Sequence, residues 1–194
     1  MKISLGYTDD DWRKLDLDNN ENDWQTAVQM LESRIKERYF DPVDVLLEFD
    51  EKQPAHKRSF GFTILAIDCL LAEMFESFIE GHESSEGKSK EVFVRFLTTR
   101  PRFKTHFADE NLAKKFYSEY RSGILHQGEI QGDGLIWSVG SMVMNIRNRI
   151  VVNRTAFHKA IKDEFSDYLD QLRSPQETDL RSKFKLKMES ICKR

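Results

Sequence analysis

The sequence predicts a mostly α-helical bundle carrying a small β element late in the chain. Three observations carry that prediction. Residues 59–80 hold Phe60, Ile64, Ile67, Leu71, Met74 and Phe78 at alternating spacings of four and three, the stripe of a buried helix face. Residues 109–127 repeat the pattern with Ala113, Phe116, Tyr117, Tyr120, Gly123 and Ile124, and Gly128 follows in the usual helix-ending place. Residues 135–152 then change period, with short β-prone runs separated by Gly140-Ser141 and Arg147-Asn148-Arg149.

In chain order, residues 1–22 read as an acidic, poorly regular lead-in with a short strand near residues 3–5. Asp23 is placed to cap a helix over residues 24–39, whose inner face is Ala27, Val28, Leu31 and Ile35. Pro42 restarts the chain for another turn or two over 43–49, and the segment 50–58 with Pro54 is a loop. The long helix over 59–80 gains apolar width from Phe62, Leu65 and Phe75, which marks it as central. Its polar stripe is narrow: Asp68, Glu73, Glu76 and Glu80. Surface solubility is the favoured reading of that stripe, with orientation of Arg121 or His126 by one of its carboxylates as the alternative.

Residues 81–89 form a polar loop, and 91–97 a short helix ended at Arg100-Pro101-Arg102. After the β element (135–152), residues 155–172 return to helix with Phe157, Ile161, Phe165, Tyr168 and Leu172 inward. Pro175 begins a last basic helix, 175–194, striped by Leu180, Phe184, Met188 and Ile191. Behind the lead-in, 23–194 is read as a single domain.

At 194 residues, 39% hydrophobic and 32% charged, the chain suits a domain with a real core. A net charge of −3 excludes a charge-driven nucleic-acid coat. Local balance differs: residues 86–122 carry nine Lys/Arg against five Asp/Glu, and 173–194 seven against three. These basic stretches are candidates for lining an RNA groove, although solvated faces produce the same pattern. Cys69 and Cys192 offer neither metal spacing nor a disulfide framework, and Cys69 reads as inert core. No h-region precedes the first acids and no run approaches membrane-spanning length, so a cytoplasmic protein without membrane contact is expected.

The residues that carry chemistry lie late in the 109–127 helix, where Arg121 and His126 stand five positions apart. Arginine presents a fixed fork of donors that fits phosphate. Histidine gives or takes a proton near neutrality. Such pairs also arise by chance, and Arg100 with His106 is a second one, interrupted by Pro101. At 100° per residue Arg121 and His126 fall on one half of the helix, about 140° apart. Leu125 falls between them, an apolar residue on a polar face that a second subunit would cover. His126 and Glu129 have a spacing seen in metal sites, but no third ligand lies near in sequence. No P-loop, dinucleotide loop or elbow serine occurs, and no cofactor is called for.

The phrase Tyr120-Arg121-Ser122-Gly123-Ile124-Leu125-His126-Gln127-Gly128 resembles the signature of the HEPN superfamily: Arg, four to six residues, then His, late in a bundle helix. The layout of residues 24–172 is similar as well. The resemblance implies a HEPN-like helical bundle with a small β-hairpin or meander after the motif helix. It further implies a metal-independent endoribonuclease of toxin, defence or stress type, acting as a homodimer on RNA and not on DNA. Arg121 and His126 are then the catalytic residues, and Ser122 and Gln127 lesser candidates for substrate hydrogen bonds. An antitoxin or a defence-complex partner belongs to the same expectation. One departure stands out: where some family toxins carry a modifiable tyrosine two places after the histidine, this chain has Gly128.

In such a dimer, the two His126 side chains would serve as base and acid while the Arg121 pair clamps the phosphate. Loss of either residue is then expected to abolish activity and spare the fold. Two alternatives stay open. One is a non-catalytic nucleotide-binding or regulatory module of the same fold, and the other a structural partner in a larger complex.

Overall fold

Residues 1–193 are described by the computed structural model, which is mostly helical with one small sheet, as the sequence predicts. By internal contacts the chain divides into two compact units. One comprises Met1–Pro42, Ser77–Ser84 and Phe165–Arg194; the other comprises Val43–Glu76 and Ser85–Glu164.

In the first unit the acidic start is ordered. Thr8 and Asp11 form a reciprocal capping box that opens α1 (Asp9–Arg13). The strand expected near residues 3–5 is reduced to an isolated bridge between Lys2 and Thr8. Ile3, Trp12 and Leu17 are buried, and Trp12 meets Phe184 edge-on at 5.8 Å. Sequence reasoning missed this because the acids of α1 mask three well-spaced apolar anchors. The next helix, α2 (Glu21–Ile35), is capped by Asn20, not Asp23; the Asp23 carboxylate instead accepts the Asp16 N–H at 2.7 Å.

A π-helical segment, Lys36–Phe40, lies between α2 and α3 (Asp41–Glu51) with no break in helical residues, so Pro42 does not restart the chain. The last helix, α10, spans Thr178–Cys192, so Pro175 lies in the preceding turn and does not begin it. Its Arg181 lies over the Trp24 ring at 4.5 Å and grips Glu21 through both terminal nitrogens, at 2.8 and 2.5 Å.

The second unit contains most of α3, α4 (Gly61–Ile79) through Glu76, α5 (Ser89–Thr99), α6 (Pro101–Lys104) and α7 (Glu110–Phe116). A second π-helical segment, Tyr117–Ser122, leads into α8 (Gly123–Gln127), and α9 (Arg154–Arg173) follows the sheet. Its core is aromatic: Phe96, Phe103, Phe107, Phe116 and Phe157 are fully buried, and Phe116 stacks on Tyr120 at 4.6 Å and on Phe157 at 5.7 Å. Beside this, Val43, Leu47 and Ile64 form a smaller apolar cluster.

The sheet orders its strands β1 (Leu135–Trp137), β3 (Arg149–Asn153), β2 (Val143–Ile146). Strands β2 and β3 are an antiparallel hairpin in register Ile146 with Arg149, turned by Arg147 and Asn148 at φ 52° and 66°. Two left-handed residues in a two-residue loop are the turn that matches strand twist. The first strand runs parallel to β3, so the element is not a meander. Runs of β-prone residues announce strands, but not which strand becomes central. Among the described residues no helix is long and apolar enough to cross a membrane.

Candidate functional site

The segment 110–127 is helical throughout but not uniformly wound. Its middle, Tyr117–Ser122, is π-helical, with Arg121 in the wide turn and His126 in the α-helical end that follows. The uniform projection had set Arg121 and His126 well apart around the axis. In the structure the Arg121 Nη1 and His126 Nε2 atoms lie 3.4 Å from each other.

The wide turn has identifiable causes. In an α-helix the Glu119 carbonyl would accept from the Gly123 N–H; here it accepts from the Gln131 N–H at 2.9 Å, while Gly123 donates to Tyr120. The returning loop passes so close that a Cβ on Gly123 would sit 2.5 Å from the Glu129 carbonyl oxygen. Tyr120, fully buried in the π segment, receives the Leu135 N–H on its hydroxyl at 2.9 Å and donates to the Ile150 carbonyl at 2.5 Å. Burial pushes the Tyr120 phenol up, so it stays a neutral hydroxyl that can fill both roles. The sheet thereby braces the motif helix.

Behind the pair stands Glu73 of α4. Its Oε2 accepts from Arg121 Nε at 3.1 Å and Nη2 at 2.7 Å, and its Oε1 accepts from the hydroxyls of Ser85 at 2.7 Å and Ser89 at 2.6 Å. Arg121 Nη2 also donates to Ser89 at 2.8 Å, and the guanidinium lies 5.4 Å from the Tyr117 ring centre. The side chains of Arg121 and Glu73 are 14% and 11% exposed, whereas His126 is open to solvent. An arginine only donates, so its contact with His126 is a hydrogen bond when Nε2 carries no proton. The arrangement is therefore an exposed imidazole beside a cation held in place by a buried carboxylate.

This corrects the solubility reading of the α4 stripe. Asp68, Glu73 and Glu76 are all buried, and each meets a basic group. Asp68 faces His158 Nδ1 at 2.6 Å, and Glu76 meets Arg95 at 3.1 Å and Arg100 at 3.2 Å. Burial raises the Asp68 carboxyl to about 6, against the lowering effect of His158. Burial, with Asp68 as neighbour, also pushes the Cys69 thiol well up, which leaves it unreactive. A carboxylate amid so many apolar residues demands a partner. That signal could have singled out Glu73, which the solubility reading passed over. Ser85 and Ser89 gave none.

Of the lesser candidates, Ser122 is half-buried in the π segment and Gln127 is exposed at the end of α8. Neither side chain forms a hydrogen bond among the described residues, so the structure does not bring them into the Arg121 network. Leu125 is 40% exposed. Among the described residues no three His, Cys, Asp or Glu side chains cluster as metal ligands. The chain matches no protein-family model, no curated protein and no solved structure.

Proposed function

We propose that the protein is a HEPN-type, metal-independent endoribonuclease that acts as a homodimer through Arg121 and His126. The observation that carries the reading is the 3.4 Å approach of the Arg121 guanidinium to an exposed His126 imidazole, at the end of a helix that contains a π turn. Such turns are frequent at functional sites. The chemistry requires a base for the ribose 2′-hydroxyl, an acid for the leaving oxygen and a fixed cation for the phosphorane charge. His126 Nε2 takes the 2′-proton as the 2′-oxygen bonds to phosphorus. The bond from phosphorus to the 5′-oxygen breaks, and that oxygen takes a proton from His126 of the partner subunit. The products are a 2′,3′-cyclic phosphate and a 5′-hydroxyl. Arg121, held by Glu73, stabilises the added negative charge. A toxin, defence or stress role, and an antitoxin or other controlling partner, belong to the same reading.

The test is incubation of the purified protein with mixed RNA in EDTA. Cleavage that persists, leaves cyclic-phosphate ends and disappears in His126→Ala supports the reading. Intact RNA at high protein concentration rejects it.

A second reading, a non-catalytic nucleotide-binding or regulatory module, is favoured by one observation. Arg121 spends Nε and Nη2 on Glu73 and Ser89, which is how an arginine that holds a fold together behaves. That reading predicts a thermal shift with nucleotides and no cleavage.

A further inference from the structure

We infer that the groove between α5 and α7 holds the single-stranded RNA leading into the Arg121–His126 pair. The inference rests on the nuclease reading and names the form of its substrate. The groove has a volume of about 530 Å³. Lys90, Val94 and Thr98 follow one another at helical spacing along it, so it tracks α5 for about 12 Å at 1.5 Å per residue. Val94 is buried in its floor, while the exposed cations Lys88, Lys90 and Arg95 of the α5 segment and Lys114 of α7 line it.

Lysines along such a trough suit one nucleic-acid strand: the phosphates meet the ammonium groups while the sugars lie over Val94, Thr98 and Thr99. Continuity with the candidate site sets the direction. Ser89 itself does not line the groove, but it stands between Lys88 and Lys90, which do, and its hydroxyl accepts from Arg121 Nη2 at 2.8 Å, so the Lys88–Lys90 end is the end nearer the pair along α5. Two acids also line it. Glu110 pairs with Lys114 at 2.6 Å on an exposed surface, a pair that exchanges for a phosphate at little cost, and Glu91 is the other. Arg95 is already engaged by Glu76, so the surplus comes from Lys88, Lys90 and Lys114 over Glu91 and Glu110, and with a chain charge of −3 binding is local and salt-dependent.

The experiment measures fluorescence anisotropy of a short oligouridylate methylated at every 2′-hydroxyl, which the intact chain can bind but not cut. In Lys88→Ala/Lys90→Ala/Lys114→Ala, affinity at low salt is expected to fall about tenfold or more, and the log–log salt slope to shrink by about 2. A control with three exposed lysines of the same unit replaced (Lys57, Lys104 and Lys159 to Ala) is expected to bind like the parent. Unchanged affinity in the groove variant, or an equal loss in the control, overturns the inference. So does equally strong competition by polyglutamate, which would make the occupant an acidic peptide. Failure of the nuclease reading looks different: groove-dependent binding survives while ordinary RNA stays uncut in EDTA.

Discussion

Arg121 and His126 belong to one site but differ in what their loss should do. His126 is exposed, and surface substitutions away from packing features change stability by about 0.5 kcal/mol or less. His126→Ala is therefore expected to lower RNA cleavage by about a hundredfold or more, the range for a proton-transfer group, with an unchanged melting temperature. Arg121→Ala also leaves Glu73 without its countercharge, and breaking a buried pair costs about 3 kcal/mol or more. Hence the expectation that both substitutions spare the fold is revised for arginine. Cleavage assays beside thermal melts would separate the two, and equal melting temperatures for both variants would mean that Glu73 does not depend on Arg121.

At the level of elements, the pair sits at the end of a helix whose winding changes and which the following loop and sheet brace. Gly123 is the point of closest approach, since a Cβ there meets the Glu129 carbonyl at 2.5 Å. Gly123→Ala should cost about 1–3 kcal/mol, the usual penalty for forcing atoms into a packed interior. It should also reduce cleavage even when measured well below the melting transition, because the clash with the returning loop lies between Arg121 and His126 and shifts one against the other. An alanine variant as active as the parent would show that the wide turn is not needed for the chemistry. Tyr120→Phe tests the same brace from the sheet side. It leaves the Leu135 N–H and the Ile150 carbonyl without their hydroxyl partner, a loss of about 1–3 kcal/mol by denaturant titration.

For the whole molecule, pH and self-association are the relevant tests. In the unfolded chain Asp68 ionises near 3.8, whereas in the fold it stays protonated up to about 6. Between about pH 4 and 6 the folded state binds the extra proton, so the contribution of this group to stability falls as pH rises and is flat above that window. Asp68→Asn removes the titration while its amide can still meet the His158 imidazole as donor or acceptor. Denaturant curves across the window should show the parent losing stability relative to the variant. A gap independent of pH would count against the buried acid. Self-association concerns Leu125 on α8: if a second subunit covers it, Leu125→Asp should yield a monomer that melts like the parent and no longer cuts RNA. Light scattering that finds the parent already monomeric while it cleaves would remove the shared-cleft dimer.

What the sequence by itself determined was whatever local periodicity encodes. The four-and-three stripe of residues 60–78 became α4, Gly128 stopped the motif helix with φ 72°, and the change of period after it became three short strands. The Arg121–His126 spacing was likewise legible as a candidate. Tertiary structure alone decided that the two side chains meet. The π turn is held by the Gln131 N–H on the Glu119 carbonyl and by Tyr120 reaching β1 and β3, contacts between residues far apart in the chain. It also decided that the carboxylates of α4 face inward, toward His158, Arg121, Arg95 and Arg100. A helical projection assumes one winding angle and shows which residues share a face, but not what packs against that face. Charge burial and helix widening are answers to that packing.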